Sequence, residues 1–502
     1  MTMGLAERLR GVLACDPGRG AVEYRRRWYS WGEIDHAMTQ IDRLLAESGL
    51  TQGAPIGMLL RNRPLHLAAV LSVIVTRRCV VTLNPIQPTE RIVADLRALR
   101  PPAVIADRDD WELPALRSAA QELGILGIAI DGANDRTEFV AGLERTGPGP
   151  FHEPQPGVSI QMLSSGTTGP AKRIKLPWAS FERGMLAALQ YEAGQEGDKV
   201  SLKNGVALCS APLVHISGIL MPTVSFLGGR AICLMEKFNV AEFHDAVLRH
   251  RPKAAPLNPT AIRMVYDANI PKEDLASLVA VRAGTAPLDP GLREAFESRY
   301  GIAILESYGA TEFGGGVAGW SLQDYRKFGT AKRGSVGRME RGCEARVIDP
   351  DTGAVLDTGA VGLLEVRGEY ITAGQWVRTT DLAHLDGDGF VFLHGRADDA
   401  IIRGGFKVLP EDVARVLRDH PAVADAAVVG LPDPRLGAVP VAAVELHADA
   451  AAVTEAELQQ WLRERLTAYQ VPVQLRILAE LPRTPSLKVS RPELRALFAA
   501  RS

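Results

Sequence analysis

The stretch VSIQML-SSGTTGPAKR, residues 158–173, decides how this chain is read. A strand-like apolar run ends in a loop that concentrates glycine, hydroxyl and cationic side chains. Gly166 and Gly169 let a ligand approach the backbone and expose its N–H groups. Ser164, Ser165, Thr167 and Thr168 add hydroxyl donors, and Lys172 and Arg173 add positive charge. That combination suits phosphate oxygens. It is not the common P-loop, G-x-x-x-x-G-K-[ST], because the glycines are spaced too closely and arginine follows the lysine. Taken alone, the loop is equally compatible with a polar surface turn.

Working outward, strand-like runs alternate with segments of helical period. The loop is followed by ASFERGMLAALQYEAG. Farther on, GVALCSAPL leads into ISGILMPTVSFLGG, then AICLME and VAEFHDAVLRH, and later LVAVRAG, DPGLREAFESRY and IAILES. Such alternation predicts parallel sheets covered by helices, an α/β architecture. Ligands bind beyond the carboxyl ends of strands in such sheets, so the loops at 164–173, 211–218, 284–288 and 308–316 are the candidates. From about Val336 the pattern turns to shorter strands and tight turns, predicting a small β-rich subdomain. After Gly395 a separate cycle of helices and strands predicts a small α+β domain. The expected division is 1–395 and 396–502.

Composition narrows the function classes. A chain of 502 residues exceeds the usual size of one core. With 46% hydrophobic and 23% charged residues it is ordinary for a soluble globular protein. A net charge of -2 gives no electrostatic reason to expect nucleic acid or an acidic membrane as partner. No apolar run is long enough to span a bilayer, and the first residues lack signal-peptide architecture. Cys15, Cys79, Cys209, Cys233 and Cys343 are scattered without CxxC pairing, which predicts reduced thiols in a cytoplasmic protein rather than disulfides or zinc ligands. A dehydrogenase reading fails for want of GxGxxG at an early strand end.

Four further segments accompany the loop: ESYGATE (306–312), RTTDL (378–382), GRADDAIIRGGFKVLPEDV (395–413) and LPRTPSLKVSR (481–491). In this order and spacing the set resembles the adenylate-forming enzymes, which include acyl-CoA synthetases, aryl-CoA ligases, luciferases and nonribosomal adenylation domains. The resemblance runs from YSWGEIDHAMTQIDRLLAESGL to the last helix.

The resemblance implies that residues 164–172 cover the β- and γ-phosphates of ATP, that Thr311 touches the α-phosphate, and that Glu312 holds Mg²⁺. A carboxylate beside a triphosphate is repelled unless a divalent cation lies between them. Tyr308 would stack on adenine. Asp381 would accept from the ribose hydroxyls, with Arg396 nearby. Lys488 would be the catalytic lysine, its ammonium lying between the acid's carboxylate and the α-phosphate. His215 would gate the acid pocket or orient the carboxylate, although a core or helix-start histidine is an open alternative. Gly284, Thr285, Ala286, Gly309 and Gly314 would line that pocket. Asp398 falls at the family's hinge, where the small mobile domain turns after adenylation. Gly404, Gly405 and Lys407 would then help form a passage for pantetheine, or the glycines simply make a β-turn.

The sequence also departs from the family. Pro170 and Ala171 are transposed, Arg173 replaces a customary glycine, and Thr380 stands where glycine is common. Leu487 replaces the glycine before the catalytic lysine, which predicts ordinary backbone regions there and a stiffer lysine loop. The function expected is ATP- and Mg²⁺-dependent activation of an aryl, cyclic or medium-chain acid, followed by transfer to coenzyme A as co-substrate. Transfer to an amine by a stand-alone amide synthetase is the alternative. A carrier-protein acceptor is disfavoured, because APLVHISG lacks the aspartate that amino-acid-activating domains use to hold an α-amine. A non-catalytic acyl-nucleotide-binding relative is a further alternative. A homodimer is compatible with the sequence.

Overall fold

Strand runs that are apolar at every position have to be covered on both faces, and the structure covers them. A computed structural model describes residues 3–132, 134–163, 173–189, 199–369, 371, 374–448, 450, 452–484 and 487–499. In the first sheet the spatial order is Arg136–Phe139, Leu126–Asp131, Ala103–Asp107, Pro55–Leu59, Cys79–Leu83, Val158–Leu163, Arg173–Pro177. The inner strands run parallel and the two edges antiparallel. Every residue of Pro55–Leu59, Cys79–Leu83, Ala103–Asp107 and Leu126–Asp131 is buried.

The helix Pro64–Val75 is buried along its whole length. A helix apolar all round has no solvent face to offer and belongs in the interior. Around it pack the helices Leu5–Cys15, Trp31–Glu47 and Ile216–Leu227, with the Trp31 and Phe226 rings 4.7 Å apart. A second sheet orders Val206–Cys209, Ala231–Leu234, Gly20–Tyr24 and Arg27–Ser30. A third begins as the parallel strands Ala254–Pro256, Ala280–Ala283 and Ala303–Ala310. It continues antiparallel through Gly315–Gly319, Ser335–Met339, Phe390–Arg396, Val377–Leu385, Gly362–Gly368 and Cys343–Ile348. The change of pattern read near Val336 is this antiparallel extension.

The last strand of the third sheet ends at Arg396, and the first strand of a separate small sheet begins at Ile401. That sheet has its own core of Val413, Leu417, Val428, Val444, Leu458 and neighbours. A large domain and a small α+β domain are therefore both present, in the mixed α/β architecture expected.

All five cysteines are free thiols; Cys15 is exposed and the other four are buried. Burial pushes the Cys79, Cys209 and Cys233 thiols up to about 12. Glu23, Cys233 and His250 bring ligand-type atoms within 4.8 Å of one another. Arg249 already pairs with the Glu23 carboxylate and compensates its charge without a metal. No helix among the described residues is long and apolar enough to cross a membrane.

Candidate active site

The loop that carries His215 is fixed from below by an asparagine. Asn62, 2% exposed, donates from Nδ2 to the carbonyls of Ala211 (2.9 Å) and Met235 (3.0 Å) and accepts from the Leu213 amide at 2.8 Å. The chain then turns sharply into the helix Ile216–Leu227. At Gly218 a Cβ would lie 1.9 Å from the Pro212 carbonyl oxygen, so only glycine permits that turn. His215 is the residue that caps this helix, and its side chain makes no capping bond. Its Nε2 is buried with no hydrogen-bond partner. His215 is thus the helix-start residue of the one expectation, and it leaves Nε2 free of any hydrogen-bond partner among the described residues.

Burial, and secondarily the charge of Lys488, lowers the His215 imidazole from 6.5 to about 4. Lys488 comes from the small domain, so a charge of that domain is felt at this ring. The unfolded histidine takes up a proton near 6.5 and the folded one only near 4. Its contribution to stability is therefore complete above pH 6.5 and is lost as the pH falls toward 4, by up to roughly 3 kcal/mol. Urea unfolding at pH 7.5 and pH 5 checks this. The native protein is expected to lose about 2 kcal/mol more than His215→Gln over that interval. Equal losses in both proteins overturn it.

Tyr308 and Asp381, far apart in sequence, meet because the third sheet carries both. Tyr308 lies on Ala303–Ala310 and donates its hydroxyl to the Asp381 carboxylate on Val377–Leu385. The Asp381 amide donates to Thr379 Oγ1 at 3.0 Å. Burial, reinforced by Asp381, raises the Tyr308 phenol. Burial also raises the Asp381 carboxyl, against the Tyr308 hydrogen bond and the Arg396 charge that hold it down. Arg396 is the cross-strand partner of Asp381, but its guanidinium grips Asp398 through two hydrogen bonds of 2.9 and 2.8 Å.

Thr311 and Glu312 lie on the short 3-10 turn Thr311–Phe313, which ends at Gly314 with φ of 69°. Glu312 is exposed. No cation or hydrogen-bond donor pairs with its carboxylate among the described residues, so a hard oxygen donor stands free for a divalent cation. Two of the glycines expected to line an acid pocket are closely packed, Gly309 against backbone and Gly284 against a side chain. A Cβ on Gly309 would lie 2.2 Å from the Gly315 carbonyl oxygen, and one on Gly284 would lie 2.8 Å from Ser307 Oγ. Thr285, with φ of 73°, and Ala286 stand exposed beside them.

Lys488 is half-buried, and burial lowers its ammonium below the usual lysine value. No carboxylate pairs with it among the described residues. The expectation for Leu487 is corrected by the structure. It does not keep to ordinary backbone regions: its φ is 62°, the left-handed conformation that glycine adopts freely. The loop holds it there. The Leu487 amide donates to the Thr484 carbonyl (2.8 Å), the Thr484 amide to the Lys488 carbonyl (2.7 Å), and the Lys488 amide to Thr484 Oγ1 (3.2 Å).

At the domain junction Asp398 is exposed and paired with Arg396, while Asp399 pairs with Arg491. Gly404 and Gly405 have φ of 57° and 89° and join the strands Ile401–Arg403 and Phe406–Val408. A two-residue hairpin turn with both φ positive demands glycine or asparagine, so the β-turn alternative accounts for these residues. The side chain of Lys407 and the loop residues Ser164, Ser165, Gly166, Thr167, Thr168, Gly169 and Lys172 lie outside the described residues. Arg173, the first residue beyond that loop, donates to the Thr82 carbonyl at 3.2 Å. Sequence reading missed Asn62 altogether; a lone buried asparagine carries no pattern.

Residues 10–376 match the AMP-binding enzyme family, and residues 412–488 match the AMP-binding enzyme C-terminal domain. The chain therefore belongs to the AMP-binding enzyme family. It is an ATP-using, AMP-forming ligase of the adenylate-forming, acyl-CoA ligase type. It is 28% identical to 4-coumarate–CoA ligase 3 of Oryza sativa subsp. japonica over 494 residues, covering 94% of this chain and 88% of the relative. The o-succinylbenzoate coenzyme A synthetase (MenE) of Bacillus subtilis, solved with ATP and magnesium ion, superposes with a TM-score of 0.77 at 25% identity, covering 97% of this chain and 99% of that one. The amide bond synthetase McbA of Marinactinospora thermotolerans shares the fold, with a TM-score of 0.80 at 24% identity, covering 99% of this chain and 100% of that one.

Proposed function

We propose that this protein joins a carboxylic acid, aryl, cyclic or of medium chain length, to ATP as an acyl-adenylate and then passes the acyl group to coenzyme A. The observation that carries the reading is the half-buried ammonium of Lys488, without a carboxylate partner among the described residues, whose charge is felt at a neutral His215. A buried cation without a carboxylate partner is costly unless an anion completes it. The acid's carboxylate and the α-phosphate of ATP are two such anions. In the first step a carboxylate oxygen attacks the α-phosphorus in line, the bond to the β-phosphate oxygen breaks, and pyrophosphate leaves. Lys488 offsets the charge of the pentavalent arrangement. Neutral His215 adds no competing positive charge and can donate one hydrogen bond to the carboxylate. Asp381 would take the ribose hydroxyls in place of the Tyr308 hydroxyl it now holds, while Tyr308 keeps its ring for adenine. Magnesium, when bound at Glu312, supplies charge neutralisation between the carboxylate and the triphosphate. The loop of residues 164–172 would hold the β- and γ-phosphates.

The division into a large domain, 1–395, and a mobile small domain, 396–502, belongs to the same proposal. After adenylation the small domain turns about Asp398, withdraws Lys488 and brings the Gly404–Gly405 turn and Lys407 toward the acceptor. Transfer to an amine is the second reading, favoured by Leu487, since a leucine held at positive φ makes a lysine loop unlike the glycine-hinged one. The test is mass spectrometry of products from ATP, Mg²⁺ and an acid panel containing 4-coumarate, benzoate and octanoate, with coenzyme A, an amine mixture, or neither. An acyl-CoA peak that needs coenzyme A supports the thioester. Amide without enzyme-dependent thioester replaces it with the second reading.

A further inference from the structure

The peptide that carries Lys488 is tied to the large domain by one hydroxyl. Thr260, in the first turn of the helix Pro259–Asp267, donates from Oγ1 to the Leu487 carbonyl at 2.9 Å. The same oxygen accepts from Arg483 Nη1 at 3.1 Å. Arg483 Nη2 is in turn held by Asp425 at 2.8 Å and Glu445 at 3.4 Å, both on the small domain's sheet. Asp425 also faces Arg418 at 3.9 Å; Arg418 is gripped by Glu411 of its own helix, and its Nε lies 3.9 Å from Asp289 of the large domain, an ion pair without a hydrogen bond. The arginine side chains are only 13% and 14% exposed, so solvent screens these pairs weakly. Two arginines sharing one aspartate thus span the boundary, with a large-domain oxygen at each end.

We infer that Thr260 is a positioning residue for adenylation, and that the chain Thr260–Arg483–Asp425–Arg418–Asp289 is a clasp holding the small domain with Lys488 at the site. Leu487 accounts for why a clasp is needed here. A leucine in left-handed backbone is strained. Its carbonyl bond to Thr260 is one of the contacts that keep it there. Releasing Lys488 for the second step requires that bond to break, so the clasp favours the first half-reaction over the second. This inference rests on the role proposed above for Lys488.

Thr260→Val keeps the shape of the side chain and removes both hydrogen-bonding functions. Pyrophosphate exchange is measured with whichever of 4-coumarate, benzoate and octanoate the native protein uses fastest. Exchange is expected to fall about tenfold, equivalent to about 1.4 kcal/mol, with KM for ATP unchanged. Discharge of the preformed adenylate is expected not to slow. Without any acid, hydrogen exchange of the amides at 483–490 should quicken, and Thr260→Ser should restore both readouts. Asp289→Asn keeps the helix-capping bond to the Leu292 amide, 2.7 Å in the native protein, while removing the charge. It should also quicken exchange at 483–490. Native amide protection and native kinetics in Thr260→Val overturn the inference. So does an equal fall of both half-reactions, which marks a merely structural residue. If Lys488→Ala keeps the native pyrophosphate exchange, the role of the lysine has failed instead, and hydrogen exchange still judges the clasp.

Discussion

Replacing Lys488 with alanine is expected to lower acid-dependent ATP–pyrophosphate exchange by roughly 10²- to 10³-fold, the usual effect of deleting one well-placed charge donor, about 3 to 4 kcal/mol. Discharge of a preformed acyl-adenylate should keep its native rate, because the nucleophile then adds at the acyl carbon, AMP leaves, and no pentavalent phosphorus has to be stabilised. The substitution should not destabilise the fold. The Lys488 ammonium is half-buried, burial lowers its pKa, and no carboxylate answers it among the described residues. Such a group penalises the folded state while it is charged. The penalty stands at pH 7 and disappears as the pH rises toward the ordinary lysine value. Lys488→Ala should therefore match or exceed the native thermal midpoint at pH 7, and the gap should close at alkaline pH. A variant that loses exchange because it has unfolded contradicts this account, as does an equal fall in both half-reactions.

Glu312→Gln is expected to have the second-largest effect, a fall of about 10²-fold in adenylation with stability unchanged within about 0.5 kcal/mol. Glu312 is exposed on a short turn and has no partner among the described residues whose loss would be felt in folding. Its carboxylate is instead free to meet a cation brought with ATP. The check is thermal shift in parallel with kinetics. ATP with Mg²⁺ should raise the native midpoint more than ATP alone, and that increment should vanish in Glu312→Gln. A retained increment places the metal elsewhere.

How far the site could be read from sequence depends on whether its partners are local. The strand ending at residue 163, the turn bearing Thr311 and Glu312, and the glycine pair at 404–405 announce themselves within a few residues, through periodicity or backbone demand. Tyr308 and Asp381 were each singled out from their own motifs, but the hydroxyl–carboxylate bond between them was not foreseen. It depends on the order of strands in a sheet whose neighbours are not neighbours in sequence. Leu487 shows the opposite failure. The residue type argued for an ordinary backbone, and three hydrogen bonds around Thr484 outweighed that preference. Thr260, Arg483, Asp425, Arg418 and Asp289 are common residue types in unremarkable surroundings. Only the docking of one domain on the other gives them meaning, and Thr260 lies 227 positions from the residue it touches.

Four of the five thiols are sealed in the interior, and the fifth, Cys15, closes the first helix of the large domain at the surface. For anyone wishing to watch this enzyme work, the native chain thus comes with a single chemical address. A maleimide dye placed there needs no cysteine removed first, and it sits on the large domain. One added cysteine on the small domain completes a ruler, and the turn proposed for that domain becomes a colour change.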